Sequence, residues 1–80
     1  MYIHLGNNSI VSAQDVVAIV NLNFLESEEI KNIMETAREE KKLIDVSEKD
    51  KEKSLIICED KLYVSPISSI TLYKRSISYQ

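Results

Sequence analysis

The sequence predicts an α+β domain: a small, mostly antiparallel sheet with one central helix and a short C-terminal helix, built to form oligomers. Three observations predict it. Short alternating or β-branched runs recur along the chain, among them "YIHL", "VVAIVNL", "SLIICED" and "KLYVS", and such runs favour strands. One long stretch, "NFLESEEIKNIMETAREEKK", repeats its apolar residues with helical spacing. The resulting order of three strands, helix, three strands, helix fits an α+β domain with mostly antiparallel pairing.

The first strand is "YIHL", where Ile3 and Leu5 share one face and Tyr2 and His4 the other. "GNNS" supplies Gly6, Asn7 and Asn8, residues that tolerate the left-handed backbone of a hairpin turn. "IVS" is the return strand, "AQD" breaks the pattern, and "VVAIVNL" resumes as a largely buried strand. Asp15, a carboxylate beside the most strand-like run of the chain, reads as a solvated bend between two strands. The helix is capped by Ser27, with Glu28 and Glu29 in its first turn where the macrodipole favours anions. Ile30, Ile33, Met34 and Ala37 form its core-facing stripe, and Arg38, Lys41 and Lys42 collect at its end. "LIDVS" and "SLIICED" flank the charged loop "EKDKEK", and "KLYVS" follows a tight turn at Glu59, Asp60 and Lys61 until Pro66 ends it. "SSITLYKRSISY" forms the closing helix, capped by Ser68 or Ser69, because Ile70, Leu72, Tyr73 and Ile77 are too apolar for a free tail.

Eighty residues make a single domain spanning 1–80. A domain this small has roughly 3–5 kcal/mol of stability to spare. It has one cysteine and therefore no internal disulfide, so self-association is the expected reinforcement. Open strand edges invite it. No apolar run approaches the roughly 20 residues that cross a bilayer, and "MYIHLGNNS" lacks the basic and apolar regions of a signal peptide. A cytoplasmic location is expected, with no membrane partner.

Chemistry is sparse. His4 and Cys58 stand far apart, and Cys58 in "LIIC" reads as a buried, inert thiol. The only glycine, Gly6, makes no phosphate-binding loop. Metal-ligand spacing is missing. No catalytic residue, metal, cofactor or small-molecule substrate is expected.

The net charge is −3, which runs against the basic surface that nucleic-acid binders usually show. The charges are uneven, however: residues 26–53 carry seven basic and ten acidic side chains, while residues 54–80 carry three basic and two acidic. Two basic groups stand out. In "SEKDKEKS", an extended backbone would place Lys49, Lys51 and Lys53 on one face and Glu48, Asp50 and Glu52 on the other. Such a row can follow a phosphate backbone, whereas a hairpin loop of mixed charge would merely be solvated. Lys74 and Arg75 lie between Tyr73 and Tyr79, a mixture of cations and aromatic rings that grips nucleic acid or packs a helix down.

The segments "MYIHLGNNSIVSAQDVVAIV", "LIDVS" and "YVSPISSITLYKR" resemble the small bacterial extracellular matrix regulators of the RemA and RemB family. The opening "MYIHLG" and the closing SP-x-SS-x-TL-x-KR look nearest the RemB branch, and the likeness runs almost end to end. It implies a cytoplasmic, non-enzymatic regulator of transcription of biofilm matrix genes in a Gram-positive bacterium. For the RemA branch it implies ring-like homo-oligomers that bind double-stranded DNA through arginines, at positions matching Asp15, Asp50, Lys51 and Lys53. Here two of those positions carry acids and two carry lysines, which lack the planar fork of arginine. The expected phosphate contacts are therefore Lys51 and Lys53, then Lys49, Lys74 and Arg75. The alternative is an oligomeric protein-interaction module of the same fold that has lost direct DNA binding.

Overall fold

A computed structural model describes residues 1–22, 27–48 and 50–77. Strands β1 (Tyr2–Gly6) and β2 (Ser9–Ser12) pair antiparallel, with Ile3 opposite Val11 and His4 opposite Ile10. Gly6, Asn7 and Asn8 all take positive φ at the turn, +106°, +49° and +66°, as the "GNN" run predicts. A Cβ on Gly6 would stand 3.3 Å from Pro66 Cγ, so glycine is required there for space as well as for φ. A single 3₁₀ turn, Ala13–Asp15, capped by the Ser12 hydroxyl, leads into β3 (Val16–Asn21). Asp15 is thus the exposed bend residue that the sequence predicts.

Helix α1 (Glu28–Glu39) connects β3 to β4 (Leu43–Asp45), and β5 (Ser54–Cys58), β6 (Leu62–Ser65) and α2 (Ser69–Ile77) follow. The main sheet has the order β3-β5-β6-β4. β5 pairs antiparallel with both β3 and β6, while β4 joins β6 in parallel. The chain therefore crosses from one edge of the sheet to the other through α1.

Ser27 Oγ accepts a hydrogen bond from Ile30 N at 3.3 Å, capping α1 as predicted. The helix stops at Glu39, before the lysines expected in its last turn. Lys41 turns left-handed, at φ 61°, and the Lys42 and Lys41 amides donate back to Ala37 O and Arg38 O at 2.8 and 3.1 Å. This pair of bonds satisfies the last carbonyls and aims Leu43 straight into β4.

Alternate residues of β5 face opposite sides of the sheet and build two cores. Leu55 and Ile57 join Leu22, Val64, Ile30 and Met34 under α1. Ile56 and Cys58 join Ile3, Leu5, Val11 and Leu72 under the hairpin and α2. The sheet is thus the middle layer of three, and β5 is its buried centre, with Leu55 and Ile56 at most 1% exposed. The expectation of a largely buried "VVAIVNL" is corrected: β3 is an edge strand, and Val17 is 67% exposed. Ile33, expected in the core stripe of α1, is exposed as well.

Two buried hydroxyls lock the layers together. Ser54 and Ser65 stand opposite one another on β5 and β6, and both are fully buried. Ser65 Oγ donates to Leu5 O at 2.6 Å and accepts from Ile67 N, while Ser54 Oγ donates to Ile67 O at 2.7 Å. Each polar group is therefore satisfied, as burial demands. Ser68 caps α2 by accepting from Thr71 N. Among the described residues no helix is long and apolar enough to cross a membrane.

Candidate nucleic-acid interface

The loop between β4 and β5 is tethered at both ends and projects between them. At its start, Val46 N donates to Val64 O at 2.9 Å, and the Asp45 carboxylate accepts from both the amide and the hydroxyl of Ser47. At its end, Lys53 N donates to Ser65 O at 2.9 Å, and Lys53 O accepts from Leu22 N at 3.0 Å. Between these anchors Lys51 N donates to Glu48 O at 3.0 Å, and Asp50 is left-handed at φ 64°. The backbone therefore turns where an extended chain was the premise of a one-sided lysine row. Aspartate tolerates this conformation better than most side chains because its short polar group bonds locally, so Asp50 suits the turn.

Lys51 and Lys53 are exposed on this loop, and Lys49 lies outside the described residues. Lys51 borders a shallow depression with Asn7 of the hairpin turn, Ser47, Glu48 and Pro66. Asn7 was not among the residues expected at this loop. Its signal was the run of left-handed residues, which marks a turn but not what the turn will adjoin.

Lys74 and Arg75 are exposed in the last turn of α2, where cations suit the helix dipole. Arg75 Nη1 donates to His4 O at 2.9 Å and so ties α2 to β1. Lys74 borders a different surface, a groove between α2 and β3. Tyr79 lies outside the described residues.

Asp15 sits at the other end of the sheet. Its carbonyl accepts from Glu59 N at 3.1 Å, beside the β5–β6 turn. The β3–β5 ladder, from the Val16–Cys58 pair to the Asn21–Ser54 pair, separates it from the lysine loop by roughly 17 Å at the usual strand rise. Within one subunit, Asp15 and the loop cannot act on the same phosphate. Asp15 instead lines a depression with Tyr2, Ile10, Cys58, Glu59, Asp60 and Tyr63. Burial, then the Asp15 charge, holds the Cys58 thiol above its ordinary range. Burial raises Tyr63 too, with Cys58 and Asp15 adding to the effect. Cys58 is free and buried, as its apolar setting predicts. No group of three or more His, Cys, Asp or Glu that could hold a metal ion occurs among the described residues.

A family model described as RemA-like, extracellular matrix regulatory protein A-like, matches residues 2–76. Extracellular matrix regulatory protein B of Bacillus subtilis (strain 168) is 33% identical over 76 residues, which cover 95% of this chain and 90% of that relative.

Proposed function

This chain belongs to the RemA-like family of extracellular matrix regulatory proteins, and from that premise we propose that it is a non-enzymatic, cytoplasmic regulator of transcription of extracellular matrix (biofilm) genes, acting as a homo-oligomer on double-stranded DNA. The observation that carries the reading is the tethered loop. Lys53 is anchored by its backbone to Ser65 and Leu22, Lys51 N donates to Glu48 O, and both lysines are exposed where a phosphate backbone can reach them. The contact is electrostatic and reads no bases. Repetition of the loop in an assembly multiplies a modest charge, while Asp50 and the net charge of −3 keep single-subunit affinity low. Lys49, Lys74 and Arg75 are secondary contacts. Arg75 keeps further N–H donors beyond the one that it gives to His4.

A second reading rests on the acids. With Asp15, Glu59 and Asp60 exposed at one end of the sheet, the fold suits an oligomeric protein-interaction module that no longer holds DNA. Binding to a labelled, AT-rich, promoter-length duplex separates the two. The regulator reading expects a complex at roughly 50 mM salt that weakens steeply by roughly 200 mM, as counterion release requires. Absence of a complex at the lower salt, from an intact assembly, sinks direct DNA binding and leaves the interaction module.

A further inference from the structure

Two segments far apart in the sequence meet at Ser65. Its hydroxyl donates to Leu5 O at 2.6 Å, just before the turn of the β1–β2 hairpin. Its carbonyl accepts from Lys53 N at 2.9 Å, where the lysine loop rejoins the sheet. Pro66 comes next and packs so near Gly6 that a Cβ there would stand 3.3 Å from its Cγ. The hairpin tip is thus held by the same two residues that border the end of the lysine loop.

The tip is a two-residue turn. Asn7 and Asn8 stand between the paired Gly6 and Ser9, both left-handed and both exposed. They differ in what they adjoin. Asn7 borders the depression that it shares with Val46, Ser47, Glu48, Lys51 and Pro66, and Asn8 does not. Among the described residues of that lining, one cation, Lys51, is balanced by one carboxylate, Glu48. A phosphate placed there would meet repulsion as well as attraction, so the depression suits an uncharged polar group better than an anion.

An uncharged polar edge is what the lysines do not read. Phosphate contacts fix a register on the duplex but carry no sequence information. The major groove, about 12 Å wide, admits a two-stranded ribbon such as this hairpin. There an asparagine amide donates to N7 and accepts from the N6 amino group of one adenine, a pair of groups that the other three bases do not present.

We infer that Asn7 is the residue through which this protein reads base sequence, its side-chain amide pairing with an adenine edge in the major groove while Lys51 and Lys53 hold adjoining phosphates. The inference rests on the DNA-binding reading above and adds the specificity that phosphate contacts cannot give. Ser65 and Pro66 keep the amide in register with the lysines. Asn7 carries no charge and displaces no counterion, so its effect lies in the ratio between sequences and not in the slope with salt.

The test uses promoter-length duplexes with a randomised centre, bound by the parent chain at roughly 50 mM salt, and the bound fraction is sequenced. Adenine is expected to be enriched at a fixed position. A single duplex carrying that adenine is then remade with 7-deazaadenine, which lacks the N7 acceptor, and parent affinity is expected to fall about fivefold. Asn7→Gly, which a left-handed turn accepts, is expected to lose the enrichment and to bind the two duplexes equally. Asn8→Gly makes the same backbone change one residue away and is expected to keep both the enrichment and the fivefold difference. Circular dichroism controls for folding; if Asn7→Gly misfolds, Asn7→Asp, which also tolerates the turn, replaces it. Adenine enrichment that survives in the folded Asn7 variant overturns the assignment, as does its loss in folded Asn8→Gly. A parent chain that binds the pool without preference overturns base reading and leaves the regulator reading standing. A parent chain that binds no duplex overturns both.

Discussion

The two ends of β5 are held in different ways. At Ser54 a hydroxyl network and paired backbone groups bind three layers together, with the lysine loop emerging beside it. At Cys58 a buried thiol faces the Asp15 carboxylate across a depression bordered by further acids. The lysine end is hydrogen-bonded across its layers beneath a mixed-charge loop; the other end is acidic and flanked by exposed apolar side chains. The chain thus separates two surfaces of opposite character by the length of one short strand. A mean charge of −3 describes neither.

The largest expected effect divides the two ends by DNA affinity. Lys51→Glu combined with Lys53→Glu should weaken binding at least about 100-fold at roughly 50 mM salt and flatten its salt dependence, since two phosphate contacts per subunit are reversed in sign. Asp15→Asn should change affinity less than about twofold in the same titration. Equal losses at both ends would break the division.

Stability comes next. Ser65→Ala leaves Leu5 O and Ile67 N without a partner in a fully buried setting, and should cost about 1–3 kcal/mol by urea unfolding. Cys58→Ala, at the opposite end, removes one sulfur and no hydrogen bond in this network, so its cost should be smaller. A Ser65→Ala protein of parental stability would show that the hydroxyl clip is dispensable.

The acidic end should also dominate the response to alkali. The folded state raises the Cys58 and Tyr63 pKa values, so it holds those protons more tightly than the unfolded chain does. That stability is fully present below the ordinary thiol range and is lost as pH rises through the raised values. Urea midpoints should therefore fall above the ordinary thiol range, and Asp15→Asn should make the fall shallower while bringing iodoacetamide labelling of Cys58 to lower pH. Identical pH profiles for the two proteins would remove Asp15 as a cause.

The smallest effect belongs to the loop. Asp50→Gly keeps the left-handed turn and should shift stability by no more than about 0.5 kcal/mol, read again from the urea midpoint. A larger loss would mean that the Asp50 side chain does more than permit the turn.

Local chemistry was legible wherever a few neighbouring residues decide the outcome. Gly6–Asn8 announced the hairpin turn, Ser27 and Ser68 their helix caps, and Pro66 the end of β6. The candidate site was legible only as charge. The exposed Lys51 and Lys53 could be named, but their extended row depended on a backbone that turns at Asp50.

By itself, then, the sequence determined the element types and order, the antiparallel bias, the helix starts and the basic side chains available for phosphate, because each follows from short-range periodicity, capping and turn preference. Tertiary structure alone decided that the most β-branched run lies at an edge and "SLIIC" at the centre, since burial depends on which strands become neighbours. It decided that Ser54 and Ser65 become a buried clip, because the carbonyls that they bind come from Leu5 and Ile67. It also placed Asp15 at the end of the sheet away from the lysine loop. Pairing register sets that distance, and no spacing along the chain encodes it.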